Sequence, residues 1–324
     1  GDNQYNDELP NFYSKEHLEE LLALEKSYLE KIKGINAEQL PRSERISYEI
    51  FKRNRELAIE GALYPEHLLP INQFYNIAGR LAMLGSGTSA QPFNTVEDYR
   101  AWASRMKQIP RLFQQAIENM KVGVKQDIVQ PRVLIEKAIP QIDAQITEDV
   151  TQSIFWRPVK DLPEDIANTD AKAIREEYRD VIANTVMPAY QKLSDYLSNE
   201  YLPETRTDSF GLGQLPGGTE WYKYKIKANT STELSADRIH NIGLDEVARI
   251  HGEMREIMEE TNFEGDLQAF FDFMTNDEQF IYDNRDEMVE DYRSLRGTVD
   301  EVVGELFDIF PQAEYEVRKV EEFR

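Results

Sequence analysis

Cysteine is absent from the 324 residues. That single absence excludes disulfides, thiolate metal sites and a cysteine nucleophile together. It leaves the compartment open, because a large helical core needs no disulfides in the periplasm or the cytoplasm. Long apolar runs are missing too, and nothing approaches the ~18 residues that a bilayer-spanning helix requires. Positive charge is scarce: 37 Lys and Arg face 60 Asp and Glu, a net charge of −23. Nucleic acid and anionic membrane would both repel such a chain, so neither is expected as a partner. The chain begins GDNQ, without methionine or a basic-then-apolar leader, so the expectation is that a targeting segment was removed or the chain was trimmed.

Histidine is as thin: His17, His67, His240 and His251 are the whole set. A helical zinc site needs two histidines one turn apart with a glutamate beside the first, so that all three share a face. None of the four has a histidine four residues on, and in HLEEL that position is Leu21. There is no Gly-x-Ser-x-Gly elbow, and LPGGTEWY lacks the spacing and the Lys-Ser/Thr of a phosphate loop. TNDEQFIYDNRDE has neither the alternate acids nor the central glycine of a calcium loop. No complete catalytic or metal-binding constellation is present.

What is present is ordinary globular composition, 40% hydrophobic and 30% charged, in a chain long enough for one large helical domain or two smaller ones. The acidic excess is concentrated. Glu233 to Asp308 holds 22 acidic and 6 basic side chains, a net −16, which reads as a solvated surface or a face that attracts cations.

Apolar spacing is helical nearly throughout. Ser14 caps a helix with Leu18, Leu21, Leu22, Tyr28, Leu29 and Ile32 on one stripe, and a second helix follows Pro41 and ends near Gly61. Residues 71–84 read as helix, and 85–94 as a loop. Thr95 and Asp98 form a capping box, while Pro110 and Pro131 are placed at first helical turns. A helix from about 171 to 201 should kink at Pro188. Ser235 caps a helix reaching about Glu260, Thr275 and Glu278 suggest another capping box, and Met288 to Phe310 make a last stripe. The domain reading is 1–202 helical, 203–230 a Gly/Pro loop and strand, and 231–324 a second helical segment.

The exception to helix is WYKYKIKAN. Its period-two alternation sets Tyr222, Tyr224 and Ile226 against Trp221, Lys223, Lys225 and Lys227, and predicts a strand or hairpin near 221–227. Such a strand is either packed on helices or lines a peptide cleft with Trp221, Tyr222 and Tyr224. A second strand is expected near 315–320, within EYEVRKVEEFR, and the chain stops inside it around Tyr315–Phe323. The fold class is therefore mainly α, a multi-helix array with these two short extended pieces. His240 falls in register with Gly243, Val247, Ile250, Met254 and Ile257, so it is a packed histidine or a pocket-lining one.

Residues 215–258, LPGGTEWYKYKIKANTSTELSADRIHNIGLDEVARIHGEMREIM, carry a Leu-Pro-x-Gly turn, an aromatic segment, a threonine-bearing link and Ile-His-x-x-Gly-Leu-x-Glu-Val. This stretch resembles the bacterial family named domain of unknown function 885. RISYEIFKRNRELAI, YNIAGRLAM, VEDYRAWASRMKQIP, VLIEKAIPQI and the closing FPQAEYEVRKVEEF follow the same family in order. Members resemble helix-rich zinc peptidases of the thermolysin-like clan, many of them secreted or lipid-anchored in the cell envelope. The resemblance implies an N-terminal portion, with zinc, the His-Glu and Pro-Gly-His-His motif and a peptide substrate belonging to the complete protein. No catalytic or metal residue carries over. Trp221, Tyr222, Tyr224 and Thr230 match the strand-and-link motif, and His240 and Glu246 the helix after it, which implies a wall of the substrate cleft. The alternative is a non-catalytic helical module that binds peptide or protein.

Overall fold

The structure is a computed structural model and describes residues 3–320. It is all-α: among the described residues the β-type pairing is one isolated parallel bridge, Pro131 with Arg206. Among the described residues no helix is long and apolar enough to cross a membrane. The chain divides into two compact units, Gly1–Glu233 and Leu234–Arg324.

The first unit opens with a helical hairpin, α1 (Lys15–Lys33) and α2 (Arg42–Gly61). Ser14 Oγ accepts the His17 N–H at 3.2 Å and starts α1, and Pro41 precedes α2. Across the hairpin Tyr28 meets Phe51 edge to face at 6.2 Å, and Arg55 pairs with Glu25. Then come α3 (Ile77–Gly85), α4 (Val96–Lys125) and α5 (Arg132–Asp143). Residues 71–76 are loop rather than helix, because Asn76 takes the cap: its Oδ1 accepts the Gly79 N–H at 2.6 Å.

Helix α4 is the spine of the core. The Thr95–Asp98 box closes in both directions, at 3.2 and 2.9 Å. Tyr99, Trp102, Met106, Ile109, Phe113, Ile117 and Met120 are buried along one face. Pro110 does not start a helix. It lies inside α4, where proline costs ~3 kcal/mol. Full burial of Met106, Ile109 and Phe113, at ~1.5–3 kcal/mol each, outweighs that cost.

After the short α6 (Arg157–Lys160), α7 (Asn168–Val181) runs through a π-helical segment, Ile182–Val186, into α8 (Met187–Tyr196) and a second π segment, Leu197–Tyr201. The first π segment lies just before Pro188, where the ring cannot donate a hydrogen bond, so the ladder widens there and the helix continues. Aromatics link these helices: Trp102 stacks on Phe155, which meets Tyr190, which meets Phe113. Buried hydroxyls are satisfied. Tyr178 donates to Tyr99 O at 3.0 Å, Tyr190 to Ala78 O at 2.7 Å, and Tyr201 accepts the Gln130 N–H at 3.1 Å. The unit closes with α9 (Gly218–Thr230).

The predicted strand at 221–227 is therefore a helix. The same letters fit a 3.6 period, with Gly218, Trp221, Tyr224, Lys225 and Ala228 on one covered side and Ile226 buried on a second side of the helix. Burial of Trp221 decides between the two periods, since it fixes that side against the rest of the unit.

The second unit holds α10 (Ala236–Glu260), α11 (Leu267–Asn276) and α12 (Arg285–Val302). Ser235 caps α10 through the Arg238 N–H at 3.2 Å, and Asn284 caps α12 through the Asp286 and Glu287 N–H groups. The expected Thr275–Glu278 box does not form: Thr275 lies inside α11 and donates to Phe271 O, while Asp277 caps the 3-10 turn that follows. Phe263, Phe270, Phe273 and Phe280 cluster at ring separations of 5.0–6.4 Å. Among the described residues of this unit only Met258 and Val289 are buried. The terminal strand expected at 315–320 is absent. Its Tyr315 and Val317 carbonyls accept from the Arg296 and Arg293 guanidinium groups, not from a neighbouring strand. Residues 321–324, including Phe323, lie outside the described residues.

Candidate functional site

The most built feature outside the core is an aromatic clamp joining α9 to the end of α2, with a hollow beside it under the Gly/Pro loop. Gly217 takes a left-handed φ of 68° and turns the chain into α9. At Gly218 any Cβ would strike the Leu212 carbonyl, so the loop can close this tightly only over glycine. Trp221, 2% exposed, stacks on Tyr64 at 6.1 Å and 9°, and Tyr224 stacks on Tyr64 at 5.1 Å and 25°. Both phenols are anchored: Tyr64 donates to Glu220 O at 3.2 Å and Tyr224 to Leu57 O at 3.0 Å.

Charge surrounds the stack. Lys225 reaches Glu66 at 2.8 Å, Lys227 reaches Glu60 at 2.7 Å, and Arg53 donates to Lys227 O at 2.9 Å. The hydrogen bond that Lys227 Nζ donates to Glu60 is the main cause raising the Lys227 pKa. Burial, then Glu66 and Glu60, raises that of Tyr224. Lys223 pairs within its own helix with Glu220. The lysines placed together on one strand face by the sequence pattern are thus split between local and cross-element partners.

Arg206 organises the loop. Its Nε donates to Val129 O at 3.0 Å and its Nη1 to Gly211 O at 3.0 Å and Ser209 Oγ at 3.3 Å. Its backbone completes the isolated bridge, with Arg206 N–H on Gln130 O and Arg132 N–H on Arg206 O. Burial lowers its pKa, opposed by Tyr201 and Asp208. The hollow, about 540 Å3, is lined by Asp127, Glu204, Arg206, Asp208, Ser209 and Leu215 among others. Leu215 also packs in a cluster with Leu68, Ile128 and Trp221, so the clamp backs the hollow directly.

Of the six residues singled out by sequence, Trp221 and Tyr224 lie inside the clamp and Tyr222 is 45% exposed beside it. Thr230 turns its hydroxyl back onto Ile226 O at 2.8 Å. His240 and Glu246 lie on α10 in the other unit, His240 exposed and Glu246 paired with Arg249 at 2.8 Å. Sequence reasoning missed Tyr64, Glu60, Glu66 and Arg206. Only Arg206 carried a signal, a lone arginine in PETRTDSFG, where unpaired loop carbonyls need a donor.

The site can hold and orient a polar chain, with one guanidinium and three nearby carboxylates, but it pairs no nucleophile with a base. Zinc does not fit the described residues. They contain no group of three His, Asp or Glu side chains able to hold an ion. His17 packs edge-on against Phe12, and His67 is half-buried with its pKa lowered by that burial. No metal step is assigned to this chain.

The family described as "Bacterial protein of unknown function (DUF885)" matches residues 1–324, and the chain belongs to it. The crystal structure of "the putative lipoprotein from Colwellia psychrerythraea" is similar, with a TM-score of 0.83 at 22% identity. The match covers 95% of this chain and 55% of that one, so this chain spans about half the length of that relative. At this identity the likeness shows the all-α fold alone. A search of the curated proteins finds no match.

Proposed function

We propose that this chain is the helical, non-catalytic part of a larger zinc-peptidase-like hydrolase of the bacterial cell envelope, and that it forms one wall of the substrate cleft. The observation that carries this reading is the second unit. A 91-residue segment in which, among the described residues, only Met258 and Val289 are buried cannot hold its helices by its own core, so further polypeptide is needed to cover them. The half-length match to the Colwellia protein supports a longer whole, and that protein's description supports the envelope. The likeness of residues 215–258 to the family's most specific stretch supports the peptidase class.

In this reading zinc would be held by residues outside this chain and would supply the chemistry of amide hydrolysis there. This chain's part is positional. The clamp makes α9 rigid, Tyr222 presents an aromatic face to an extended substrate, and Arg206 holds the loop beside it through Val129 O and Gly211 O. A second reading, a peptide- or protein-binding module without catalysis, is favoured by the same uncovered apolar helices and needs no metal.

The protein as its own gene encodes it should hold one zinc per chain by elemental analysis and cleave unstructured peptides. Tyr222→Ala should raise KM several-fold with little change in kcat. Absence of both metal and cleavage, with peptide binding retained, replaces the first reading by the second.

A further inference from the structure

The apolar face of α10 repeats in a register that calls for a helix. His240, Gly243, Val247, Ile250, Met254 and Ile257 follow at alternating steps of three and four residues, the spacing of a helix–helix seam. The seam is open, with Val247 50% and Ile257 49% exposed. A strand or an irregular loop would not match a 3.5-residue repeat over five steps, and an anionic membrane is repelled by a unit of net charge −16.

Gly243 adds an independent observation. Glycine inside a helix is unfavourable relative to alanine. In the first unit each helix-interior glycine meets something: a Cβ at Gly123 would lie 2.5 Å from Ile128 O, and one at Gly85 would lie 2.7 Å from the Phe155 ring. At Gly243 a Cβ would meet nothing within 4 Å, and the same holds at Gly252 and Gly297 in the second unit. Gly243 is the one of these that lies in the α10 seam, where the missing side chain leaves room for a partner backbone to cross close to the helix.

The flank identifies the partner's chemistry. Glu246, Glu253 and Glu260 repeat at seven residues along one edge of the seam, with Arg249 bridging the first two at 2.8 and 2.5 Å. Two copies of α10 packed antiparallel would set these glutamate rows against each other, and each copy brings a unit of net charge −16. A helix with lysine or arginine at the facing positions has no such conflict.

We infer that α10 is the docking seam for a basic-flanked amphipathic helix of the same, longer protein, which crosses nearest at Gly243. This rests on the reading of a longer whole, and the half-length match to the Colwellia structure supplies the polypeptide from which such a helix would come.

The test places a photocrosslinking amino acid at Val247 or Ile250 in the protein as its own gene encodes it, with the linked peptides identified by mass spectrometry. The expected product joins α10 to a peptide of the same polypeptide outside the 324 residues, helical in period and bearing Lys or Arg. Links to residues within 1–324, of the same or a second copy, or to solvent alone, overturn the inference. A second arm compares melting temperatures. Gly243→Ala should raise the melting temperature of the 324-residue chain and lower that of the whole protein, with Gly243→Leu lowering the latter further. An equal rise in both overturns the close crossing. Zinc content and peptide cleavage of the same samples are read separately, so the peptidase reading and the seam can fail independently.

Discussion

The two units solve the problem of holding helices together in different ways. The first, of net charge −7, buries Trp102, Tyr178, Tyr190, Phe113 and Phe155 almost completely and ties the Tyr178 and Tyr190 hydroxyls to named carbonyls. The second, with 25 acidic and 9 basic side chains in 91 residues, leaves Val247, Ile257, Tyr292, Leu295 and Val299 near half exposure. Both have well-formed, capped helices. Amphipathic periodicity and good caps therefore suffice to specify helices, but cohesion depends on whether the apolar stripes find each other. The first unit gathers its stripes into a core, and the second leaves most of its stripes at the surface.

Truncating matched positions gives the largest contrast. Trp102→Ala empties a fully buried site and should cost ~3–5 kcal/mol, whereas Ile250→Ala on the open face of α10 should stay within about 0.5 kcal/mol in the 324-residue chain. The probes separate conveniently. All three tryptophans, Trp102, Trp156 and Trp221, lie in the first unit, so fluorescence follows that unit while far-UV circular dichroism follows both. Urea melts by the two probes should not coincide, and a single shared transition for wild type would break the comparison.

Alkaline pH should sharpen it next. Burial pushes Tyr201 up to about 12 and raises Tyr178 and Tyr190 as well, all in the first unit. A tyrosine with a raised folded pKa binds its proton where the unfolded chain has lost it. Stability is therefore full below the ordinary value near 10 and falls as pH rises towards the folded value. Lys227, raised chiefly by its hydrogen bond to Glu60, has the same sign. The fluorescence-detected midpoint should drop between pH 10 and 12, by about 3 kcal/mol from Tyr201 alone. The exposed helices of the second unit should change less.

Legibility from sequence followed the same division. Caps at Ser14, Thr95 and Ser235 were readable because they depend on residues three apart, and the α10 stripe was readable because its period is local. The α9 segment was misread because WYKYKIKAN satisfies periods of two and 3.6 alike, and only the distant ring of Tyr64 selects between them. Pro110 was placed at a helix start for a similar reason: the burial that carries α4 through it is tertiary. The hollow was half legible. Its glycines and prolines marked a loop, but Asp127 comes from a turn far away in sequence, with a left-handed φ of 57° that no local pattern announced.

Glycines allow a smaller test. Gly123→Ala should cost about 1–3 kcal/mol, because a Cβ there presses on the Ile128 carbonyl, which the turn after α4 holds in place. Gly252→Ala, off the seam and in open space, should gain up to ~1 kcal/mol from helix propensity alone. Fluorescence melts should report the loss, and circular dichroism the gain. A loss at Gly252 would mean that the second unit is covered there.

The smallest expected effect is that of salt, and its sign is informative. Exposed pairs such as Arg249 with Glu246 and Glu253 should weaken as salt rises, each by a fraction of about 1 kcal/mol. The repulsion among the remaining carboxylates weakens at the same time, since the Debye length shortens from ~30 Å at 0.01 M to ~10 Å at 0.1 M. With 25 acidic side chains against 9 basic, repulsion outnumbers attraction, so helicity in the second unit should rise with salt by a few tenths of a kcal/mol. The first unit, 35 acidic against 28 basic with most of its stability in buried rings, should barely respond. A basic helix seated on α10 would reverse the second unit's response, because salt would then screen an attraction between the docked helix and the glutamate row. Salt titration of the 324-residue chain beside the protein as its gene encodes it therefore reads, in one sign, whether the acidic face is bare or occupied.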